Sequence, residues 1–184
     1  MVALAFFGAA AFLPLALNEV RGQAPVVAGL ALTAATLTWT GGSWLQARIV
    51  GRWSRRSMVF GGLVSVAAGI ALTASTLVQE APVWGAVLGW GVGGLGMGIT
   101  FPAWTLAILS EAVEGAEGGA SAAVQLANTV GVAIGTSVSG AIVALGGAAG
   151  TPTSVDLAAV FGLMAVAALG ASLAAREIPG GPSA

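Results

Sequence analysis

Residues 83–109 read VWGAVLGWGVGGLGMGITFPAWTLAIL and carry no charged side chain. A bilayer core of about 30 Å is crossed by about 20 residues of α-helix, so this stretch is long enough to span a membrane. Six glycines fall between residues 89 and 98, and Pro102 follows them. A membrane helix tolerates such residues where neighbouring helices or a water-filled cavity cover its backbone. The stretch therefore predicts a transmembrane helix that faces protein or a cavity.

The composition of the whole chain agrees with a membrane location. Of the 184 residues, 57% are hydrophobic and only 7% are charged, whereas about 25% of a soluble domain is charged. So few charges cannot cover a soluble globule, and the high hydrophobicity excludes a disordered chain. A net charge of −1 offers no basic surface for nucleic acid. We expect an all-α integral membrane protein that has the lipid bilayer, and not nucleic acid, as a partner.

Short polar breaks divide the chain into six apolar runs. The predicted helices cover about residues 1–17, 26–47, 57–78, 83–109, 119–145 and 155–175. They form one predicted domain over residues 1–178, followed by a flexible tail at 179–184. The first run also has the length of a secretory signal, but a signal begins with basic residues, which this run lacks. Three helices followed by three helices can form an inverted repeat, so we predict a six-transmembrane-helix bundle of the 3+3 type.

The arginines predict how the bundle is oriented. When the N-terminus lies in the cytoplasm, only Arg21 falls on the outer side, and five arginines fall on the inner side: Arg48, Arg52, Arg55, Arg56 and Arg176. Positive charge is concentrated in cytoplasmic loops of membrane proteins. We therefore expect a multi-pass protein of the cell (inner or plasma) membrane with both termini in the cytoplasm.

The residue types that are missing exclude most catalytic chemistry. The chain has no histidine and no cysteine, which removes Ser-His and Cys-His pairs and the usual metal ligands. Residues 91–96 match G-x-G-x-x-G, but they lie inside an apolar helix and follow no strand, so they do not predict a dinucleotide site. We expect neither an enzyme nor a metal protein.

Corresponding helices of the two triplets carry residues that weaken a helix. Pro14 lies in the first helix of the first triplet, whereas the glycine run and Pro102 lie in the first helix of the second. In an inverted repeat, interrupted helices at matching positions mark the substrate path. Trp90 and Trp104 lie deep in the fourth helix and fit either a cavity wall or ordinary packing. Glycines four residues apart fit packing within the chain or an interface between molecules: Gly85, Gly89 and Gly93, Gly94 and Gly98, and Gly131 and Gly135.

The fifth helix carries a polar stripe. Ser121, Gln125, Asn128 and Ser139 lie on about one face. Because amides are costly in hydrocarbon, these side chains either line a polar path or bond one helix to another. No carboxylate lies in the middle of a predicted span, so the chain has no obvious proton-carrying acid of its own.

Several stretches resemble the major facilitator superfamily, most closely its fourteen-helix drug:proton antiporters. FLPL at 12–15 and NEVRG at 18–22 are similar to the seventh helix and the loop after it. ARIVGRWSRR at 47–56 resembles the cytoplasmic loop motif G-x-L-a-D-R-x-G-R-R. Arg52, Arg55 and Arg56 match that motif, whereas Ala47, Gly51 and Ser54 depart from its Gly, Asp and Gly. The fourth and fifth spans resemble the tenth and eleventh helices.

The resemblance implies one half of a major-facilitator fold, the C-terminal half. Its first and fourth helices would line a central cavity, with the candidate residues Phe7, Pro14, Trp90, Gly93, Met97, Phe101 and Trp104. Its second and fifth helices would face the other bundle, with the candidates Gln125, Asn128, Gly131 and Gly135. The cytoplasmic loop motif would comprise Arg48, Arg52, Arg55 and Arg56.

The function that follows from the resemblance is efflux of drugs or metabolites by alternating access. The expected substrate is small and hydrophobic, no cofactor is required, and a proton gradient would drive the export. The partner would be a second six-helix bundle: another copy of the chain in a homodimer, a separate half, or a missing N-terminal half. Because the chain lacks a mid-membrane acid and its loop motif is incomplete, the alternative is a truncated or non-transporting membrane module or subunit.

Overall fold

The computed structural model describes residues 1–113 and 115–175, and the described residues form helices and turns without a β-strand. The predicted all-helical class is confirmed. The predicted tail at 179–184 and Arg176 lie outside the described residues. The helices are α1 (Val2–Ala10), α2 (Leu13–Leu15), a π-helical turn (Ala16–Val20), α3 (Pro25–Ile49), α4 (Arg55–Ser75), α5 (Trp84–Ser110), α6 (Glu117–Ala149) and α7 (Thr153–Ala174).

Five helical segments of the described chain are long and apolar enough to cross a bilayer: Val2–Val20, α4, α5, α6 and α7. Large apolar side chains remain exposed on their outer faces. Leu126 on α6 and Val166 on α7, for example, are each 65% exposed. Contiguous exposed apolar surface of this kind is unfavourable in water and favourable in lipid. The structure is therefore compatible with a multi-pass membrane protein.

The remaining long helix, α3, is long enough to span but is more polar. Three of its exposed threonines lie on one face, and each hydroxyl donates to a backbone carbonyl of the preceding turn: Thr33 to Gly29 at 2.8 Å, Thr36 to Leu32 at 2.9 Å and Thr40 to Thr36 at 3.1 Å. Because these hydroxyls find acceptors within the helix, they do not prevent α3 from entering a bilayer.

The first membrane segment is interrupted near Pro14. The helix breaks at residues 11–12, where the Phe12 N–H donates to the Ala9 carbonyl at 3.1 Å, three residues back. Proline has no N–H, so Pro14 cannot continue the α-helical ladder. The interruption predicted for this helix is confirmed. The fourth span differs from the expectation, because α5 runs unbroken through its glycines and Pro102.

Glycine 150 ends α6, four residues beyond the predicted boundary. Gly150 adopts φ 75°, a left-handed conformation that glycine reaches without strain. The Thr151 N–H then donates to the Gly146 carbonyl at 3.0 Å, which closes the last turn. The pair Gly146-Gly147, at which the helix was expected to stop, continues as helix.

The helices pack in two groups, one of α3, α4 and α5 and one of α1, α6 and α7, and the groups meet where α4 contacts α7. α5 lies between α3 and α4, α1 lies against α6 and α7, and α4 also contacts α7. Glycines make the contacts close. A Cβ on Gly89 would lie 2.6 Å from Thr73 Oγ1 and 2.7 Å from the Gly69 carbonyl oxygen on α4. Of the two roles open to the glycine pattern, packing within the chain is the one observed here.

Arg21 fixes the loop after the π-helical turn to the end of α4. Its guanidinium donates to the carbonyl oxygens of Thr76 at 2.6 Å and Ala81 at 2.8 Å, and also to that of Val78. These three acceptors lie at or beyond the C-terminus of α4, where carbonyls have no partner inside the helix.

We expect Arg21→Gln to lower the free energy of unfolding by about 2 kcal/mol, because a hydrogen bond from a charged group contributes about 1.5–3 kcal/mol. The measurement is SDS titration of the detergent-solubilised chain. Arg52→Gln is the matched control, because Arg52 is exposed. Equal losses in the two variants would contradict the role given to Arg21.

Candidate functional site

Five aromatic rings from three helices form one connected group. This aromatic cluster consists of Phe6 and Phe7 on α1, Trp39 on α3, and Trp90 and Phe101 on α5. Trp39 joins it together, with ring centroids 5.7 Å from Phe6, 6.4 Å from Phe7 and 6.2 Å from Phe101. Trp90 lies 5.0 Å from Phe6. These separations and the tilted or edge-on geometries are those in which aromatic rings attract one another.

The cluster has a buried side and an accessible side. Phe6 and Trp90 are buried, and Trp90 has no exposed surface. Phe7, Trp39 and Phe101 are only half-buried. Half-buried aromatic rings offer an apolar surface, and the negative faces of such rings attract cations and other rings.

The indole N–H of Trp90 has no hydrogen-bond acceptor in the described structure. Gly93, one turn further along α5, leaves room beside the ring, and a Cβ there would lie 3.5 Å from Trp90 Cε3 and 3.6 Å from Phe6 Cε2. Met97 follows on the same helix and is fully buried. Trp90, Gly93 and Met97 therefore lie on the buried side of the aromatic cluster, and the half-buried rings pack against this side.

A cavity of about 270 Å³ lies at the end of the bundle where α1 begins. Phe101 and Trp104 of α5 and Asn128 of α6 contribute to its wall, and the other lining residues are apolar. The Trp104 indole N–H is buried without an acceptor. Of the seven predicted cavity residues, Phe101 and Trp104 border this cavity. Five belong to the aromatic cluster or lie behind it, Phe101 among them, and Pro14 lies at the break in the first helix.

The candidates on α6 face two directions. Gln125 is exposed and Asn128 is half-buried. Gly131 and Gly135, which we expected on a face toward another bundle, instead pack on α1: a Cβ on Gly135 would collide with the Leu4 carbonyl and lie 3.0 Å from Leu4 Cα. The expectation for these two glycines is corrected, because their missing side chains allow α1 and α6 to approach closely.

The four arginines of the loop motif do not form a single group. Arg48 stacks on Trp44, with its guanidinium carbon 3.6 Å from the ring centroid, and Arg52 and Arg56 are exposed. Arg55 donates from Nη1 to the Ser110 hydroxyl on α5 at 2.6 Å. Basic side chains and an exposed Trp44 at one end are typical of a membrane–water interface.

Two of the three departures from the loop motif, Gly51 and Ser54, have local structural reasons. Gly51 has φ 91°, a conformation that an aspartate would adopt only with strain. Ser54 caps α4, because its hydroxyl accepts the Ser57 N–H at 3.1 Å. The loop is therefore built for a tight turn and a stable helix start.

Carboxylates are scarce inside the described bundle. Asp156, in the first turn of α7, is 7% exposed and accepts the Thr151 hydroxyl at 2.6 Å. This bond joins the two ends of the α6–α7 connection. The described residues contain no group of acidic side chains arranged to hold a metal ion.

Sequence reasoning missed Phe6 and Trp39. Phe6 is adjacent to the candidate Phe7, and Trp39 lies in a helix that was assigned to the other bundle face. The contact between α3 and α5 brings Trp39 to Phe101. The sequence alone carries no signal for this contact, because the side of α3 that faces α5 follows only from the packing of the two helices.

Comparisons with known proteins identify no relative. No protein-family model matches the sequence, and no match was found among curated proteins or solved structures.

Proposed function

We propose that the chain is one six-helix half of a membrane transporter, working by alternating access opposite a second bundle. The observation that carries this proposal is the aromatic cluster beside an interrupted helix. Its three half-buried rings come from α1, α3 and α5, and α1 ends one turn before Pro14. Non-helical backbone at membrane depth is tolerated where protein or a water-filled cavity covers it.

The packing of the helices supports a 3+3 inverted repeat. When α1, α3 and α4 are matched to α5, α6 and α7, the α1–α6 contact corresponds to the α5–α3 contact. The α1–α7 contact likewise corresponds to α5–α4. Both α1–α6 and α3–α5 are close, glycine-mediated contacts: Gly135 meets Leu4, and Gly98 meets Trp39. Matching contacts of this kind would be expected of an inverted repeat, the architecture of many secondary transporters.

Two exposed polar stripes supply the proposed contact with a second bundle. Thr33, Thr36 and Thr40 form one stripe on α3, while Gln125 and Thr129 form the other on α6. Small and hydroxyl-bearing residues let membrane helices pack closely and bond to one another. We propose that these stripes, and not Gly131 and Gly135, face the partner bundle.

The substrate we propose is a small hydrophobic cation or aromatic molecule held on Phe7, Trp39 and Phe101. Ring faces attract such cations within about 6 Å of the centroid. Proton coupling, which the family resemblance implies, would then use an acid on the partner bundle, because Asp156 is already bonded to Thr151 at the end of α7.

The test is export of the cationic dye ethidium from proteoliposomes that contain the assembled chain, across a series of pH gradients. We expect saturable, gradient-dependent export. Trp39→Ala should lower it about five- to tenfold, because an aromatic contact is worth about 0.5–1.5 kcal/mol. Trp84→Ala is the matched control, because Trp84 is 63% exposed at the start of α5, and it should transport like the parent chain.

Two results would overturn the proposal. Export that is flat at every gradient, in a preparation shown by native mass spectrometry to contain two bundles, would favour the non-transporting module. Equal activity of Trp39→Ala and Trp84→Ala would remove the aromatic cluster from the substrate path.

A further inference from the structure

A cleft of about 310 Å³ opens between α3, α4 and α5 at the end of the bundle that carries the arginines. It lies outside the aromatic cluster and has a polar part and an apolar part. Gln46, Arg55 and Ser110 form the polar part, and Val50, Leu106 and Leu109 form the apolar part. A cleft of mixed character at this level suits a molecule with a polar head and an apolar tail.

Gln46 places a buried hydrogen-bond donor without a partner in this cleft. Its side chain is only 4% exposed, and its amide nitrogen has no hydrogen-bond acceptor in the described structure. A buried donor without a partner destabilises a protein, so most such groups are satisfied by protein, water or ligand. The unpaired amide therefore points to an acceptor atom that enters the cleft from outside.

Arg55 supplies a fixed positive charge to the same cleft. The Ser110 hydroxyl accepts from Arg55 Nη1 at 2.6 Å and itself donates to the Ala107 carbonyl at 2.9 Å. This chain of bonds holds the guanidinium in place, and a guanidinium has five N–H donors, so one bond leaves donors for a further acceptor. Arg55 is also the first residue of α4, where the helix dipole favours an anion.

We propose that this cleft binds a phosphate group, with Arg55 and Gln46 as its donors, and that the phosphate is the headgroup of an anionic membrane phospholipid. The apolar part of the cleft decides between lipid and free phosphate. Leu106 is 47% exposed and Val50 is 39% exposed at its edge, where an acyl chain would lie. Basic pockets between membrane helices bind anionic headgroups in this way.

The experiment measures lipid retained by the purified chain in native mass spectra. The detergent-solubilised protein is mixed with phosphatidylglycerol, with phosphatidylcholine or with inorganic phosphate. We expect a one-to-one adduct with phosphatidylglycerol. Gln46→Leu and Arg55→Gln should each reduce the adduct at least about tenfold, because they remove a buried donor or a charge-assisted bond.

Arg56→Gln is the matched control, because it changes the net charge as Arg55→Gln does but lies outside the cleft lining. It should retain the adduct, and thermal unfolding of all three variants shows whether they are folded. Equal loss in Arg56→Gln would mean a diffuse charge effect and would overturn the site. The absence of an adduct in the parent chain, or displacement of the lipid by inorganic phosphate alone, would also overturn the lipid assignment.

Discussion

Gly94→Ala is expected to disrupt the contact between α3 and α5 and to lower the free energy of unfolding by about 3 kcal/mol, at the upper end of overpacking effects. A Cβ on Gly94 would collide with the Ala35 carbonyl and would lie 2.7 Å from Ala35 Cα and 2.6 Å from Thr38 Oγ1. Two of these three atoms belong to the backbone of α3, which cannot move aside as a flexible side chain can. The whole helix would have to shift to admit one methyl group.

The matched control is Gly41→Ala on α3, where an added Cβ meets nothing within 4 Å. Alanine is favoured over glycine inside a helix by about 0.5–1 kcal/mol, so this variant should be as stable as the parent chain or more stable. SDS titration of both variants is the measurement. If Gly94→Ala is as stable as Gly41→Ala, α3 and α5 are not packed as described.

Trp90→Ala is expected to cost about 3–5 kcal/mol, the range found when a buried large aromatic is reduced to alanine. The ring has no exposed surface, and it lies against Phe6 and beside Gly93. Removing it would leave a cavity between α1 and α5 on the buried side of the aromatic cluster. We expect the variant to unfold at a clearly lower SDS fraction and to lose dye export with its fold.

Trp90→Phe distinguishes the contribution of an aromatic ring at this position from that of the indole N–H. Because the indole N–H has no acceptor in the described structure, the phenylalanine removes an unpaired polar group and leaves a smaller void. These two effects oppose each other, so we expect a loss within about 1 kcal/mol, as for conservative core exchanges. A loss as large as that of Trp90→Ala would contradict the unpaired state of the indole.

The sequence was sufficient to predict where most helices lie, but not how they meet. Five of the six apolar runs are single helices whose ends lie within four residues of the expected ones, and the first run is divided into α1, α2 and the π-helical turn. Pro14 was a sign of the interruption in the first span, because proline removes a backbone donor, but Pro102 was not, since α5 continues through it. The glycines of α5 were not such a sign, because a glycine inside a membrane helix either bends it or lets another helix approach, and only the neighbour decides.

In the candidate site, too, the sequence indicated residues on individual helices but not the contacts between helices. Phe7, Trp90 and Phe101 were candidates because the family resemblance implies a cavity between the first and fourth helices, whereas Trp39 is recognised only from the packing of α3 on α5. Gly131 and Gly135 of α6 were expected to face another bundle. They pack against α1 instead, because the backbone of Leu4 lies close to both glycines. Because a membrane helix is hydrophobic on all sides, the period of its apolar residues does not predict which face is buried against the protein.

The central claim is that all six long helical segments cross the membrane, including the more polar α3, so that the two triplets are inverted relative to each other. The chain has no cysteine, so single cysteines report cleanly on each connection. We would place one at a time at Ala24, Trp53, Glu80 and Val113 and label sealed vesicles of both orientations with a membrane-impermeant maleimide. We predict labelling of Trp53→Cys and Val113→Cys from the cytoplasmic side, and of Ala24→Cys and Glu80→Cys from the other side. Labelling of Ala24→Cys and Trp53→Cys from the same side would show that α3 does not span, and would contradict the inverted repeat and the transporter built on it.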